Sequence, residues 1–262
     1  VLRDAAKLGF KTAIHEQNAF PGVTTKMLVG LVDTVMLAMP EAEKRLELKK
    51  PPVITGNPVR AEFLTLQKDD CRKRLGLDER PVLLSSGGSL GAAPVNRAVA
   101  ELIAEKWQAG DMVFIHATGK AGYTAFLQLL SEKGVDPKAE NVRFFDYIDN
   151  MAECMVAADM VLSRAGAISL SELCVCKKPA ILIPSPYVAE NHQYHNAMSL
   201  KKIGAAEVIE EKDLNRESLL KAVNSCIYNP QKLNSMAQKA GSAAFPDAAK
   251  RIYNEIMKLY TK

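Results

Sequence analysis

The sequence lacks the features of a secreted, membrane-spanning or nucleic-acid-binding chain. Its five cysteines are odd in number and contain no CxxC pair, and most lie in apolar helical patterns typical of small buried residues. No apolar run approaches the roughly 20 residues of a membrane-spanning helix, and the N-terminus has no signal-peptide layout. The net charge of +4 is dispersed, so no nucleic-acid partner is predicted. We therefore expect a cytoplasmic chain from a reducing compartment, soluble or peripheral on a membrane.

Short apolar segments alternate with helical stretches almost throughout, and repeats and low-complexity tracts are absent. This alternation predicts an α/β fold with parallel sheets and crossover helices. The candidate strands are residues 11–15, 33–38, 52–55, 81–85, 111–116, 141–145, 159–162, 179–183 and 205–209. One helix shows an apolar stripe of period 3.6 that should face a sheet; its members are Val95, Ala98, Val99, Leu102, Ile103 and Trp107.

The 262 residues suffice for one complete domain and part of another. A boundary is predicted within residues 56–80, where a polar stretch separates two α/β units. Residues 1–18 predict a helix followed by a strand, as in the middle of an α/β domain, so we expect a segment upstream of Val1. At the other end, Pro246 should start a core helix with Ile252, Ile256 and Leu259 on one face.

The strongest local signal is SSGGSLGA, residues 85–92, between a predicted strand and a predicted helix. Glycines allow close backbone approach to a ligand, and the N–H groups at a helix start attract phosphate. Ser89 could add a hydroxyl donor. A plain tight turn remains the alternative, and the spacing disfavours NAD because it is not GxGxxG.

A second strand-to-helix junction, DMVLSRAGAISLSE, contains Arg164, Gly166, Ser169 and Glu172. A carboxylate in the first turns of a helix can accept hydrogen bonds from both hydroxyls of a ribose. The alternative is that Glu172 only complements the helix dipole.

The loop PSPYVAENHQYHNA, residues 184–197, carries His192 and Gln193, which can hydrogen-bond the hydroxyls of a sugar. His192 and His195 could instead be two metal ligands, but a zinc site needs at least a third ligand. The chain also contains no DxD pair. The sequence therefore predicts neither a metal nor another cofactor.

Two upstream motifs also follow strands: IHEQN, residues 14–18, and TGNPVR, residues 55–60. Asn18 offers an amide to an oxygen-rich ligand, and Arg60 offers a guanidinium to phosphate; a capping role for Asn18 and a surface ion pair for Arg60 are the alternatives. All five features lie at the C-terminal ends of predicted strands, where open α/β sheets bind ligands.

In this order and spacing, HEQN, GNPVR, GGSxG, FDYIDNMAE, SRAGAISLSE and NHQYHNA closely resemble the MurG family of N-acetylglucosaminyltransferases, which convert lipid I into lipid II in peptidoglycan synthesis. The resemblance covers essentially the whole chain. It implies a GT-B fold of two Rossmann-like, doubly wound domains, of which the first is incomplete here. The implied partners are UDP-N-acetylglucosamine (UDP-GlcNAc), lipid I and the inner face of the bacterial cell membrane.

The resemblance also implies roles for individual residues. Arg60 and Ser89 would lie near the diphosphate, and Ile148 would present its backbone to uracil. Asn18 would reach into the cleft as the catalytic residue of the first domain. The remaining predicted contacts are the run Ala167, Ile168, Ser169, Leu170, Ser171 and Glu172 along the nucleotide sugar, with Glu172 on the ribose, and His192 and Gln193 on the N-acetylglucosamine.

The implied domain division is 1–63 for the end of the acceptor and membrane-side domain, 64–243 for the nucleotide-sugar domain, and 244–262 for a helix packing back toward the first. The family's glycine-rich GGTGGH-type loop, with a histidine that is a candidate base, and its membrane patch would precede Val1. The sequence therefore predicts donor binding, whereas complete turnover would need that upstream segment. Another GT-B enzyme, such as a UDP-sugar epimerase or a transferase with a different acceptor, and a noncatalytic nucleotide-binding module are the alternatives.

Overall fold

The computed structural model describes residues 1–261 and contains two parallel sheets. Strands β1 to β3 form the first sheet in the order β1-β2-β3, and strands β4 to β9 form the second in the order β6-β5-β4-β7-β8-β9. The strands are β1 (Ala13–Glu16), β2 (Thr34–Leu37), β3 (Val53–Ile54), β4 (Val82–Ser86), β5 (Val113–Ala117), β6 (Val142–Phe145), β7 (Met160–Ser163), β8 (Ala180–Leu182) and β9 (Ala206–Val208).

Twelve α-helices connect and cover these strands within residues 1–261. They are α1 (Leu2–Lys7), α2 (Val23–Leu28), α3 (Glu62–Thr65), α4 (Lys68–Arg74), α5 (Ala93–Lys106), α6 (Tyr123–Glu132), α7 (Met151–Ala157), α8 (Ala167–Val175), α9 (His192–Ile203), α10 (Arg216–Ile227), α11 (Pro230–Ser242) and α12 (Ala248–Met257).

The prediction of nine strands in a parallel α/β fold is confirmed, with strand ends displaced by one or two residues. Strands of a parallel sheet that is covered on both faces read as continuous apolar runs, and all five residues of β5 are buried. The helical stripe is confirmed from Val95 to Ile103, which are buried members of α5. Trp107 lies just beyond that helix in a 3-10 turn and is partly exposed.

The order of the strands in the second sheet determines where a ligand-binding crevice can lie. Its first three strands in the chain run outward in the order β4, β5, β6, and the next three run outward on the other side from β7. Adjacent strands β4 and β7 therefore send their crossover helices to opposite faces, and such a switch point opens a crevice at the C-terminal strand ends. Ser86 pairs with Ser163 at that edge, so the loops after both strands are neighbours.

The cysteines fit the second sheet's core. Cys71, Cys154, Cys174 and Cys226 are buried, Cys176 is partly buried, and all five carry free thiols. Burial raises the pKa of Cys174 to about 12, which keeps that thiol protonated and unreactive at neutral pH. The prediction that most of the cysteines serve as small buried residues is confirmed.

The predicted C-terminal helix is present as α12, and its apolar face is only partly buried within residues 1–261. Helix α12 begins two residues after Pro246, and Ala248 is its only buried residue. Ile252 and Leu259 are only partly buried, and Ile256 is exposed. No residue of α12 belongs to the two hydrophobic clusters of the second sheet within residues 1–261. Phe245, just before it, does reach the first sheet, where a Cβ added to Gly56 would lie 2.2 Å from the Phe245 Cβ.

Candidate functional site

The glycine-rich loop after β4 packs backbone to backbone against the loop after β5. A Cβ added to Gly91, which has a φ of +74°, would lie 2.0 Å from the Thr118 carbonyl oxygen. A Cβ on Gly119 would lie 2.5 Å from the Gly91 nitrogen. Both positions therefore require glycine, because any side chain would separate the two loops.

A buried polar network lies under these loops. The Asn96 Nδ2 group donates to the Thr118 carbonyl oxygen at 2.9 Å, which leaves Asn96 Oδ1 to accept from His116 Nε2 at 3.2 Å. His116 Nδ1 then accepts from the Ser85 hydroxyl at 2.8 Å. This assignment fixes the tautomer of His116 as Nε2–H, and it ties β4, β5 and α5 together directly beneath the loop.

The buried His116 should make the protein sensitive to mild acid. Burial lowers the pKa of His116 to about 3, from an ordinary value of 6.5. Below pH 6.5, His116 binds a proton in the unfolded chain but not in the folded protein, so stability is lost as pH falls. Each pH unit costs about 1.4 kcal/mol from this residue, or about 2 kcal/mol between pH 6.5 and pH 5.

Urea unfolding at several pH values between 5 and 6.5 checks this expectation. His116→Gln removes the titrating ring and should flatten the dependence of the unfolding free energy on pH, whatever its effect on absolute stability. The pKa of His195 is also lowered, mainly by burial, so a smaller slope should remain in the variant. Equal slopes in both proteins would show that His116 is not the titrating group.

Two helices begin at the switch point without a side-chain cap. Ala92 precedes α5 and Gly166 precedes α8, and neither makes a side-chain hydrogen bond to the helix start. The free N–H groups of a helix start, together with the helix dipole, favour an anion. Helix α9 lies nearby and is also uncapped by a side chain at Asn191.

A cavity of about 300 Å³ lies beside the loop that precedes α5 and the first turns of α8. It brings together five residues predicted from sequence, from three loops and one helix: Arg60, Ser89, Ile148, Ser169 and Glu172. It also contains Arg164, and Asp146 and Asp149 flank Ile148 in its wall. The cavity therefore combines cationic, carboxylate and hydroxyl groups with an apolar floor that includes Leu84, Met155 and Val161.

Glu172 is the most enclosed carboxylate with an ion-pair partner in this cavity. Its side chain is 13% exposed, and its Oε1 lies 3.7 Å from Arg60 Nε. Burial raises the pKa of Glu172, and the nearby Arg60 guanidinium opposes that rise. Arg60 also pairs with Glu62 at 2.7 Å, so the surface ion pair considered from sequence exists alongside its place in the cavity wall.

The structure does not bring the whole run from Ala167 to Glu172 into the cavity. Only Ser169 and Glu172 line it, because positions three apart share a face of a helix. Leu170 is buried in the core between them, and Ser171 donates to the Ala167 carbonyl oxygen at 3.0 Å. Ala167 is itself buried, whereas Ile168 is 38% exposed outside the cavity lining.

The remaining predicted contacts surround the cavity without lining it. Gln193 Oε1 accepts from the N–H groups of Ala165 at 3.2 Å and Ser185 at 2.9 Å, so it joins the loops after β7 and β8. His192 has a buried Nε2 without a hydrogen-bond partner in residues 1–261. Asn18 follows β1, and its Oδ1 accepts from Asn196 Nδ2 at 3.0 Å.

Asn196 was missed as a functional residue by sequence reasoning. It is fully buried in α9, where Oδ1 accepts from the Ala19 N–H at 2.9 Å and Nδ2 also donates to the Ala165 carbonyl oxygen at 3.2 Å. It therefore ties the loop after β1 to the loop after β7. The only available signal was an amide within the quoted motif NHQYHNA.

Arg164 was noted in its motif but not predicted as a site residue. Its guanidinium forms an ion pair with Glu211 and donates to the Ile183 carbonyl oxygen at 3.2 Å. These contacts hold a cation in the cavity wall. Across residues 1–261, no group of three His, Cys, Asp or Glu side chains is placed to hold a metal ion.

Comparisons with known proteins identify the family of this chain. The family model described as "Glycosyltransferase family 28 C-terminal domain" matches residues 82–252. A curated relative from Acetivibrio thermocellus is 44% identical over 98% of this chain and 69% of its own length, and it is named UDP-N-acetylglucosamine–N-acetylmuramyl-(pentapeptide) pyrophosphoryl-undecaprenol N-acetylglucosamine transferase. The crystal structure of Acinetobacter baumannii MurG matches with a TM-score of 0.80 and 26% identity, over 97% of this chain and 68% of that one. The chain belongs to the MurG family.

Membership of the MurG family accounts for the fold as well as the motifs. The parallel α/β architecture matches the GT-B structure of the A. baumannii protein, as the resemblance predicted. A putative UDP-N-acetylglucosamine 2-epimerase from Listeria monocytogenes also matches, with a TM-score of 0.73 but only 18% identity, over 98% of this chain and 70% of that one. That second likeness shows a shared fold alone.

Proposed function

We propose that this chain binds UDP-GlcNAc and forms the donor side of an inverting glycosyltransferase. In the reaction, the 4-hydroxyl of N-acetylmuramic acid in lipid I attacks C1 of N-acetylglucosamine and yields lipid II. The observation that carries the proposal is the 300 Å³ cavity at the switch point, where Arg60, Ser89 and Glu172 converge. The name of the A. thermocellus relative specifies the same donor sugar and acceptor.

The cavity suggests an orientation for the donor. The diphosphate would lie at the start of α5, near Ser89, where unpaired N–H groups favour negative charge. Uracil would lie against Ile148, which lines the cavity between Asp146 and Asp149. Glu172 would accept hydrogen bonds from the ribose hydroxyls, and Ser169 would lie beside it on the same helix face.

The chemistry requires charge stabilisation and a proton acceptor. As the acceptor oxygen bonds to C1, the bond from C1 to the diphosphate oxygen breaks, and UDP leaves with the electron pair. Arg60 and the start of α5 would stabilise the negative charge that grows on the diphosphate. The proton of the attacking hydroxyl must pass to a base, for which we assign no residue of this chain.

Asn18 and the α9 motif would form the sugar and acceptor side. One Nδ2 hydrogen of Asn18 is used by Glu16 Oε1 at 3.2 Å, which leaves the second available to an acceptor oxygen. An amide cannot take a proton at neutral pH, so we propose that Asn18 orients the acceptor. Gln193 would support the sugar through the Ala165 and Ser185 loops, and the neighbouring His192 would contact the same sugar.

Glu172→Ala is expected to weaken UDP-GlcNAc binding by about 1 to 3 kcal/mol, the scale for hydrogen bonds to a charged group. Isothermal titration calorimetry of the chain with UDP-GlcNAc measures the effect. Glu62→Ala is the matched control, because Glu62 also pairs with Arg60 but does not line the cavity. Unchanged affinity in Glu172→Ala would remove this carboxylate from the donor site.

Product analysis separates the proposal from its alternatives. Mass spectrometry measures whether one N-acetylhexosamine is added to lipid I, with the A. thermocellus relative as the positive control. An epimerase would consume UDP-GlcNAc without any acceptor, and a transferase of other specificity would modify a soluble acceptor instead. Donor binding without product in any arm would fit a noncatalytic module, or a chain that needs further residues for turnover.

We propose a peripheral position at the cytoplasmic face of the membrane. None of the helices in residues 1–261 could cross a bilayer. Around α1 and α2, however, an open surface pocket combines Leu2, Met27 and Leu31 with the cations Arg3, Lys7 and Lys26. Apolar groups flanked by cations favour an anionic lipid surface. Sedimentation with phosphatidylglycerol vesicles, but not with phosphatidylcholine vesicles, would support this placement, and equal sedimentation would oppose it.

A further inference from the structure

Three basic side chains surround the ring of Phe20, where loops of the first sheet meet α9. Lys26 Nζ lies 4.3 Å from the centre of this ring, and the guanidinium carbon of Arg45 lies 4.6 Å from it. The imidazole of His195 stacks on the ring, with 4.6 Å between the two ring centres and 22° between their planes. Cations favour the electron-rich face of an aromatic ring. Phe20 therefore holds the three basic groups together, and we call these four residues the Phe20 cluster.

The Phe20 cluster lies beyond the C-terminal ends of two neighbouring strands of the first sheet. Phe20 and Lys26 follow β1, and Arg45 ends the 3-10 helix Pro40–Arg45, which follows β2. Open α/β sheets bind ligands at this end of their strands. None of the four residues lines the 300 Å³ cavity, so the cluster is distinct from the proposed donor site.

The charges in the Phe20 cluster favour an anion. Lys26 pairs with Glu190 at 3.9 Å, and no other carboxylate of residues 1–261 forms an ion pair with Lys26, Arg45 or His195. Arg45 is exposed, so its guanidinium can donate to a ligand. Burial lowers the pKa of His195, and the charges of Arg45 and His192 lower it further. Phosphate is the anion that arginine binds best, through paired N–H donors.

The Phe20 cluster adjoins both the proposed acceptor residue and the proposed membrane-facing pocket. Phe20 closely follows Asn18 in the chain, and His195 directly precedes Asn196, whose Nδ2 donates to Asn18 Oδ1 at 3.0 Å. Lys26 also lines the open pocket around α1 and α2. In a lipid-linked sugar, the phosphates lie between the membrane and the sugar hydroxyls. The position of the cluster therefore fits the phosphates of such a substrate.

We propose that the Phe20 cluster binds the diphosphate of the lipid-linked acceptor. Lys26 and Arg45 would pair with phosphate oxygens, and His195 would donate one ring N–H to them. This inference rests on the proposed function, from which it takes an acceptor with a diphosphate between lipid and sugar; the name of the A. thermocellus relative contains that pyrophosphoryl group. Binding of the diphosphate would hold the acceptor sugar beside Asn18.

Geranyl diphosphate, a soluble isoprenoid diphosphate, is the probe that tests the Phe20 cluster. In ¹H–¹⁵N correlation spectra of the chain, it should shift the amides of Phe20, Arg45 and His195 at millimolar concentration or below. UDP-GlcNAc is titrated separately and should shift the amides of Ser89 and Ile148, which report on the donor cavity. Shifts at Phe20 without any at Ser89 would contradict the proposed function but support the cluster, and the reverse would contradict only the cluster.

Two variants of equal charge locate the binding. Arg45→Ala should weaken geranyl diphosphate binding at the Phe20 amide at least about threefold, within the range for one exposed ion pair. Lys44→Ala is the matched control, because Lys44 is the adjacent exposed cation and lies outside the cluster; it should leave the affinity nearly unchanged. Equal weakening in both variants would show a general attraction of anions and would overturn the proposal.

Phosphatidylglycerol vesicles separate the acceptor diphosphate from the headgroup of a bilayer lipid. Arg45→Ala should lower sedimentation with these vesicles no more than Lys44→Ala does. A larger loss in Arg45→Ala would assign the cluster to bilayer phosphate and would overturn the proposal. Absence of any shift at Phe20, Arg45 and His195 with millimolar geranyl diphosphate would overturn it as well.

Discussion

Glu211→Ala is expected to lower the free energy of unfolding by about 3 to 5 kcal/mol, the cost of removing one member of a buried ion pair. The side chains of Arg164 and Glu211 are only 12% and 10% exposed. Without Glu211, the guanidinium keeps the carbonyl oxygens of Ile183 and Pro184 but loses its counter-charge. Chemical denaturation followed by circular dichroism measures the change.

Glu210→Ala provides the matched control. Glu210 is the adjacent glutamate, and its ion pair with Lys212 is mostly exposed at 3.2 Å, so its loss should change stability by less than about 1 kcal/mol. The double variant Arg164→Met with Glu211→Leu removes both charges and should recover much of the loss. Equal effects of Glu210→Ala and Glu211→Ala would show that burial of the Arg164–Glu211 ion pair does not determine its contribution to the free energy of unfolding.

Asn196→Leu is expected to cost about 3 kcal/mol of stability, because it keeps the side-chain volume but leaves two buried main-chain groups unpaired. The Ala19 N–H and the Ala165 carbonyl oxygen lose their partner, at about 1 to 3 kcal/mol for each unsatisfied group. Thermal and urea unfolding give the total. Hydrogen exchange at the Ala19 amide reports the local effect, and that amide should exchange faster in the variant.

Asn196→Asp distinguishes hydrogen bonding from packing. A carboxylate would retain the contact with Ala19 but would face the Ala165 carbonyl oxygen and Asn18 Oδ1 with a third oxygen. The variant should therefore be destabilised at neutral pH and should partly recover in acid, where the protonated carboxyl can donate. Lys202→Ala, at an exposed position of the same helix, should have little effect. If Asn196→Asp were as stable as the unaltered protein at neutral pH, the proposed bridge would be wrong.

The strands were predictable from sequence because each is a short apolar segment bounded by polar or turn residues. Val82 to Leu84 and Val113 to Ala117 are buried from both sides, which produces continuous apolar runs. The sheet order was not predictable from periodicity, because β4 and β7 are neighbours in space but distant in the chain. Helix α12 is a second example: the periodicity of its apolar residues predicted an apolar face, but it did not identify what packs against that face.

The convergence of Ser89 and Glu172 on one cavity was predictable, because each follows a strand that ends at the crevice. The run from Ala167 to Glu172 was treated as one surface, although the helix turns Leu170 into the core; its contacts with a donor stay a prediction. Asn196 was not predicted, because the contribution of a buried amide depends on Ala19 and Ala165, which approach only after folding. Side chains whose partners are main-chain groups of distant loops leave little pattern in a sequence.

The uncapped starts of α5 and α8 mean that a bound diphosphate would complete the protein's own secondary structure. Each helix start lacks a side-chain acceptor, and phosphate oxygens would supply what a serine or aspartate provides in other helices. Part of the binding free energy of a nucleotide would then come from hydrogen bonds that the two helix starts do not make with side chains of the protein. At this edge of the sheet, the missing side-chain caps would themselves cause the preference for an anionic ligand.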